Sequence, residues 1–145
     1  MKRLCLASTC QALIRMKQPT KVSGNIEVTE DCAYYRPAGK LTLEEAIELV
    51  DQTIAYVRDQ RIPKLLFNAK SLVGFRPPSL PTRYFTMRRW ASTGQSLVQV
   101  AIVIHAEMID PEKFGVTVAR NSGLNADVFS QETEALAWLL NEPKK

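Results

Sequence analysis

Leu97-Val98-Gln99-Val100-Ala101-Ile102-Val103-Ile104 opens the stretch, running on to Leu140, whose reading decides the fold. The run is apolar almost without interruption and has the length of a strand, the pattern of one buried on both faces. Asp110-Pro111-Glu112 then marks a helix start. Asp110 serves as N-cap and proline takes the first position, where its missing N–H costs nothing. Asn121-Ser122-Gly123 marks the end of that helix. Ala126-Asp127-Val128-Phe129 predicts a short strand. Ser130 predicts the cap of a closing helix that packs through Ala135, Leu136, Trp138, Leu139 and Leu140. Trp138 is expected to anchor it, so that truncation to alanine costs roughly 3–5 kcal/mol.

Upstream, the same grammar repeats. Gly24 to Thr29 alternates apolar and polar residues, and Cys32 to Arg36 follows after the turn Glu30-Asp31, so the pair predicts an antiparallel hairpin. Thr42-Leu43-Glu44-Glu45 is a capping box, and Ala46, Ile47, Val50, Ile54 and Val57 behind it repeat at helical spacing. Ile62-Pro63 breaks that helix, and Lys64-Leu65-Leu66-Phe67 predicts the third strand. Asn68 to Ser79 holds Gly74, Pro77 and Pro78 and is expected to be a loop without strand. A helix starting near Pro81 is expected to turn Leu80, Tyr84, Met87 and Ala91 inward and Arg83, Arg88 and Arg89 outward, ending at Ser92-Thr93-Gly94.

The order is β-β-α-β-α-β-α-β-α: an α/β layer domain with about four helices and a mixed, mostly parallel sheet of about five strands. The expected boundaries are a flexible basic tail over 1–20 and one domain over 21–142. At 145 residues, 46% hydrophobic and 23% charged, the chain has the size and composition of one globular domain. No apolar run reaches the roughly 20 residues that span a bilayer, so stable membrane insertion is not expected.

Charge is unevenly spread. Residues 1–22 carry Lys2, Arg3, Arg15, Lys17 and Lys21 and no acid, which leaves 14 bases against 15 acids in the rest. Ser8, Thr9 and Gln11 interrupt the apolar part of this opening, and Arg15 and Lys17 stand where a cleavage site needs small residues. It reads as a weak basic amphipathic segment or an over-extended start rather than an export signal, and the expected compartment is cytoplasmic. The body is near neutral, so no nucleic-acid partner is expected. Three cysteines, two of them in the tail, make no disulfide framework. One histidine and no Cys-x-x-Cys predict no metal site, and no phosphate-binding glycine loop or nucleophile elbow is present. No cofactor and no catalytic residue are expected.

The hairpin ending at Gly39, the capped helix, the strand Leu65-Leu66-Phe67-Asn68, the strand Ala101-Ile102-Val103-Ile104, the stop Asn121-Ser122-Gly123 and the closing Val128-Phe129 with Ala135-Leu136-Ala137-Trp138-Leu139 together resemble the SpoIIAA-like branch of the STAS superfamily. The resemblance covers roughly Asn25 to Leu140. It implies the fold of sporulation anti-anti-sigma factors, a non-enzymatic regulatory or protein-interaction role, and kinship with the Sec14-like (CRAL-TRIO) lipid-binding fold. That kinship implies the alternative of a binder of a lipid or small amphipathic anion. In partner-switching members the loop after the third strand carries an Asp-Ser-Ser motif whose serine is phosphorylated. Here the strand ends in Asn68, and Ser71, Ser79 and Thr82 do not match the motif, so a kinase-operated switch is not expected.

The candidate site is therefore read from charge and placement. No Asp or Glu occurs between Gln60 and Ala106, while Arg61, Lys64, Lys70, Arg76, Arg83, Arg88 and Arg89 do. The expected binding residues are Asn68, Arg76, Ser79, Arg83, Arg88 and His105, with Arg89 beside them. Asn68 and His105 end strands, where ligands of open α/β sheets bind. Each has a structural reading as well: Asn68 as a turn former, Ser79 as a helix cap, His105 as a hydrogen-bonded end residue. The expected partner is a protein or a small amphipathic anion, and homo-oligomerisation is left open.

Overall fold

Every residue from Gln99 to Val103 is buried, and the molecule is built around that strand. The computed structural model describes residues 13–14, 21–29 and 31–140. Along them run β1 (Leu13–Ile14), β2 (Ile26–Thr29), β3 (Cys32–Tyr35), β4 (Gly39–Lys40), α1 (Leu43–Asp59), β5 (Lys64–Asn68), β6 (Leu72–Val73), α2 (Leu80–Gly94), β7 (Gln99–Val103), a 3-10 turn (Ala106–Met108), α3 (Phe114–Asn121), β8 (Asn125–Phe129) and α4 (Glu132–Leu140). β7 lies between β5 and β8 and is parallel to both, with Ala101 opposite Leu66 and Asp127. β3 joins β5 in parallel and β2 in antiparallel, so the expected hairpin and five strands are present. Parallel neighbours cannot be joined by a tight turn, and each crossover here carries a helix.

β1 pairs antiparallel with β2 and extends the sheet to the order β1-β2-β3-β5-β7-β8. Five strands were expected, and this one falls in the segment read as a tail. The flexibility expected for the rest of 1–20 lies outside the described residues. Also unexpected is β6, which pairs in parallel with β4 inside the segment read as strandless. Gly74 makes this possible. Gly74 has φ +107°, and a Cβ there would stand 2.6 Å from the Leu41 carbonyl oxygen, so β6 can approach the chain after β4 only without a side chain at that point.

Strand alternation divides the core. Leu65 and Phe67 face the side covered by α1, α2 and α3; Leu66 faces α4, together with Cys32, Ala101 and Val103. α1 begins with the predicted capping box: the Glu45 N–H donates to the Thr42 hydroxyl and the Thr42 N–H to the Glu45 carboxylate. Such a cap stabilises a helix by about 1 kcal/mol. Ala46, Val50, Ile54 and Val57 are buried as expected, Ile47 partly so, and Leu49 and Thr53 join them. The buried Thr53 hydroxyl is satisfied by the Leu49 carbonyl at 2.7 Å.

Three helix readings are corrected. α2 buries Thr86, Trp90, Ala91 and Gly94, while Leu80 and Tyr84, expected inside, are exposed. The reason lies on α1. The Trp90 indole N–H donates to the Ile47 carbonyl, and Arg89 reaches Glu48 and Asp51, which fixes the rotation of α2. α3 starts at Phe114 instead of Pro111. Lys113 adopts a left-handed φ of 51°, which separates a preceding turn from the helix. Asp110 is therefore not the N-cap, which is Lys113; its carboxylate accepts the N–H groups of Glu112 at 3.1 Å and Phe114 at 2.8 Å across the preceding turn. α4 starts at Glu132; the Ser130 carbonyl is instead the acceptor for the Lys70 ammonium, at 2.6 Å.

Candidate functional site

The carboxyl ends of β5, β7 and β8 lie side by side, and their ladder continues one step into the loops. The Ala69 N–H donates to the Val103 carbonyl, and that of Ile104 to the Phe129 carbonyl. Below this edge, between the sheet and α1, α2 and α3, is a cavity of about 160 Å³. Phe67, Ile102 and Val128 supply its sheet wall and Val50, Met87 and Trp90 much of the helical one. Its charged lining residues are Arg83, Asp110, Lys113 and Asp127.

The expected site residues separate into three places. Asn68 and His105 meet at Lys70. The Lys70 N–H donates to the Asn68 side-chain oxygen at 2.9 Å, and His105 Nε2 bonds the Lys70 carbonyl at 3.0 Å. The Asn68 amide also donates to Glu132 at 2.7 Å, tying the end of β5 to the start of α4. Ser79 and Arg83 form the entry to α2. The Ser79 hydroxyl accepts the Thr82 N–H, and Arg83 donates to the Pro78 carbonyl at 3.0 Å and faces Asp110 at 3.9 Å. Arg83 is thus largely covered, contrary to the outward placement expected of it. Arg76 and Arg88 stay on the exposed surface. Arg88 lies over the Tyr84 ring, 5.6 Å from its centroid, and donates to the Tyr84 hydroxyl.

The block without acids is partly neutralised in space. Arg89 pairs with Glu48 and Asp51 of α1, and Arg83 with Asp110, all from outside the block. Missing from the sequence reading were the cavity and the exposed apolar residues of the α2 surface, Leu80 and above all Phe85, which is 67% exposed. Phe85 packs edge-on against Tyr84. The only sequence signal was an excess of large apolar residues in α2 over what one buried face can take.

Glu132 shows how the edge is held. It accepts both Arg36 Nε at 2.6 Å and Arg36 Nη2 at 3.0 Å, besides Asn68. The Arg36 bonds hold its carboxyl below the ordinary 4.5, against the opposing effect of burial, and Asn68 adds to the lowering. A depressed carboxyl stabilises the fold above its unfolded value, and that contribution is lost as pH falls through the folded value. Stability should therefore decline as pH drops below about 4.5. Glu132→Gln should flatten that part of the pH profile and cost about 1–2 kcal/mol at pH 7, measured by urea denaturation at each pH. A variant with the parent's slope below pH 4.5 would assign the acid sensitivity to other groups.

Among the described residues no group of His, Cys, Asp and Glu is arranged to hold a metal ion, and no helix is long and apolar enough to cross a membrane. No protein-family model matches the sequence, and no curated protein does. Solved structures do. An anti-sigma factor antagonist from Mycobacterium paratuberculosis superposes with a TM-score of 0.53 at 14% identity, over 86% of this chain and 99% of that one. An uncharacterised protein with a SpoIIAA-like fold from Shewanella loihica PV-4 gives 0.47 at 20% identity, over 86% and 98% of the two chains. Unphosphorylated SpoIIAA, an anti-sigma factor antagonist, gives 0.42 at 16%, over 84% and 100%. At 14% identity the likeness to the Mycobacterium anti-sigma factor antagonist is one of fold: the two chains share the same mixed α/β layer architecture.

Proposed function

We infer that the protein is a non-enzymatic regulatory module that binds a protein partner through the start of α2 and the loop before it. One observation carries this reading: Leu80, Tyr84 and Phe85 are exposed together on the first turns of α2. Large apolar groups grouped on a surface mark sites of association more often than singly scattered ones do. Arg76 and Arg88 are exposed on the same segment and have no carboxylate partner among the described residues, so the surface suits an acidic partner with an apolar centre. The fold shared with an anti-sigma factor antagonist supports a role in protein association, although fold alone fixes no partner.

The test is photo-crosslinking from a reactive phenylalanine analogue at position 85 in cells that naturally contain the protein. A discrete protein adduct is expected. Arg88→Glu should reduce it at least tenfold, while Arg61→Glu, a charge reversal in the turn after α1, should leave it. Crosslinks to lipid alone, or an adduct indifferent to Arg88, would overturn the assignment.

A further inference from the structure

The cavity beneath α2 plays no part in that protein-binding reading, and its chemistry is different. Mostly carbon from the sheet and three helices lines about 160 Å³, in a pocket that is partly open to solvent. An ordered water needs two or more polar partners, which such a wall withholds. A dry apolar cavity of about 150 Å³, in contrast, takes up a molecule the size of benzene. Met87 and Met108 belong to the wall, and their unbranched side chains can adjust to an occupant's outline.

Charge enters at one end only, with two groups of each sign. They are already engaged with one another. Arg83 faces Asp110 at 3.9 Å, Lys113 binds Asp127 at 2.9 Å, and Arg120 adds a contact to Asp127 at 3.4 Å. Arg83 is held further by the Pro78 carbonyl, and Asp110 by two backbone N–H groups. An entering carboxylate or phosphate would meet two carboxylates and would have to detach a cation that is already paired and hydrogen-bonded, in a place where lost partners are costly. An amphipathic anion, the alternative ligand that the Sec14 kinship implies, is therefore disfavoured at this end. The geometry points to a binding site for one neutral, apolar small molecule of about six carbons, a ring or a short chain, with any hydroxyl directed toward the Arg83–Asp110 end.

The experiment uses the full chain with its methionine and valine methyl groups labelled for NMR and titrates it with toluene, 1-hexanol and hexanoate at pH 7. Toluene and 1-hexanol should move the Met87, Val50 and Val116 methyl signals, and hexanoate should bind at least tenfold more weakly than 1-hexanol. Ala46→Leu and Val116→Leu, which add carbon to two different walls, should each weaken toluene binding at least tenfold. Both variants are apolar in apolar surroundings, and thermal unfolding checks that they fold. The proposal is overturned if neither neutral probe moves these signals at its solubility limit. It is equally overturned if hexanoate binds as well as 1-hexanol, or if both filled variants bind toluene like the parent. None of these outcomes bears on crosslinking from position 85.

Discussion

Replacing Phe67 with alanine should lower stability by about 3–5 kcal/mol, toward the upper end of that range for a buried aromatic. The ring is fully buried in the middle of β5. It meets Tyr35 edge to face, with centroids 5.5 Å apart, across the parallel pair β3–β5. Two features keep the site from collapsing after truncation. Tyr35 of β3 and Ile102 of β7 are each fixed opposite Phe67, in the ladders on its two sides. Phe67 also forms part of the wall of the existing cavity, so its removal would enlarge a void that the native packing has left open. Urea denaturation of Phe67→Ala and Phe67→Leu checks this. The leucine variant should recover more than half of the loss. A loss below about 1.5 kcal/mol for alanine would show that the three-helix side of the sheet repacks freely.

What the sequence revealed depended on how local the responsible contacts are. β7 was legible because a strand buried on both faces has to be apolar at nearly every position, as this one is after Gln99. The Thr42–Glu45 box was legible because all its partners lie within four residues. Asp110 was read as the N-cap of α3 and instead holds the turn before it, because the left-handed Lys113 that delays α3 leaves no trace in residue type. α2 was misread for a physical reason. Leu80, Tyr84, Phe85, Met87, Trp90 and Ala91 occupy more of the helix than one buried face, so periodicity alone allowed several rotations. Trp90 and Arg89 choose among these through α1, about forty residues away in the chain. The same separation hid the neutralisation of Arg89, which looked unopposed within its own block. The cavity was illegible because residues from several distant elements enclose it, each of which reads singly as ordinary core. Asn68 ends β5, His105 follows β7 and Ser79 caps α2. Their hydrogen bonds are those of a turn former, a helix cap and a strand-end residue, and the exposed surface beside them belongs to Phe85, Arg76 and Arg88.

The second large effect is expected on the opposite face of the sheet, where α4 is the covering helix, and it reverses the ranking suggested by side-chain size. Leu139→Ala should cost about 2–5 kcal/mol. Leu139 is fully buried beside Ala135 and packs in one cluster with Leu66, Ala101 and Val103 of the central strands. Trp138, the residue the sequence favoured as anchor, is only partly buried; its main recorded partner is Phe129, tilted, with ring centroids 5.6 Å apart. Half the transfer free energy of a large aromatic and one ring contact amount to about 1–3 kcal/mol, so Trp138→Ala should be the milder change. Consecutive helical residues point about 100° apart, which is why one of the two can face the sheet squarely while the other lies along its rim. Urea midpoints of the two variants, compared at equal m-value, decide the order. If Trp138→Ala proves the more damaging, α4 sits on the sheet in a different rotation, with Trp138 and not Leu139 toward Leu66 and Val103.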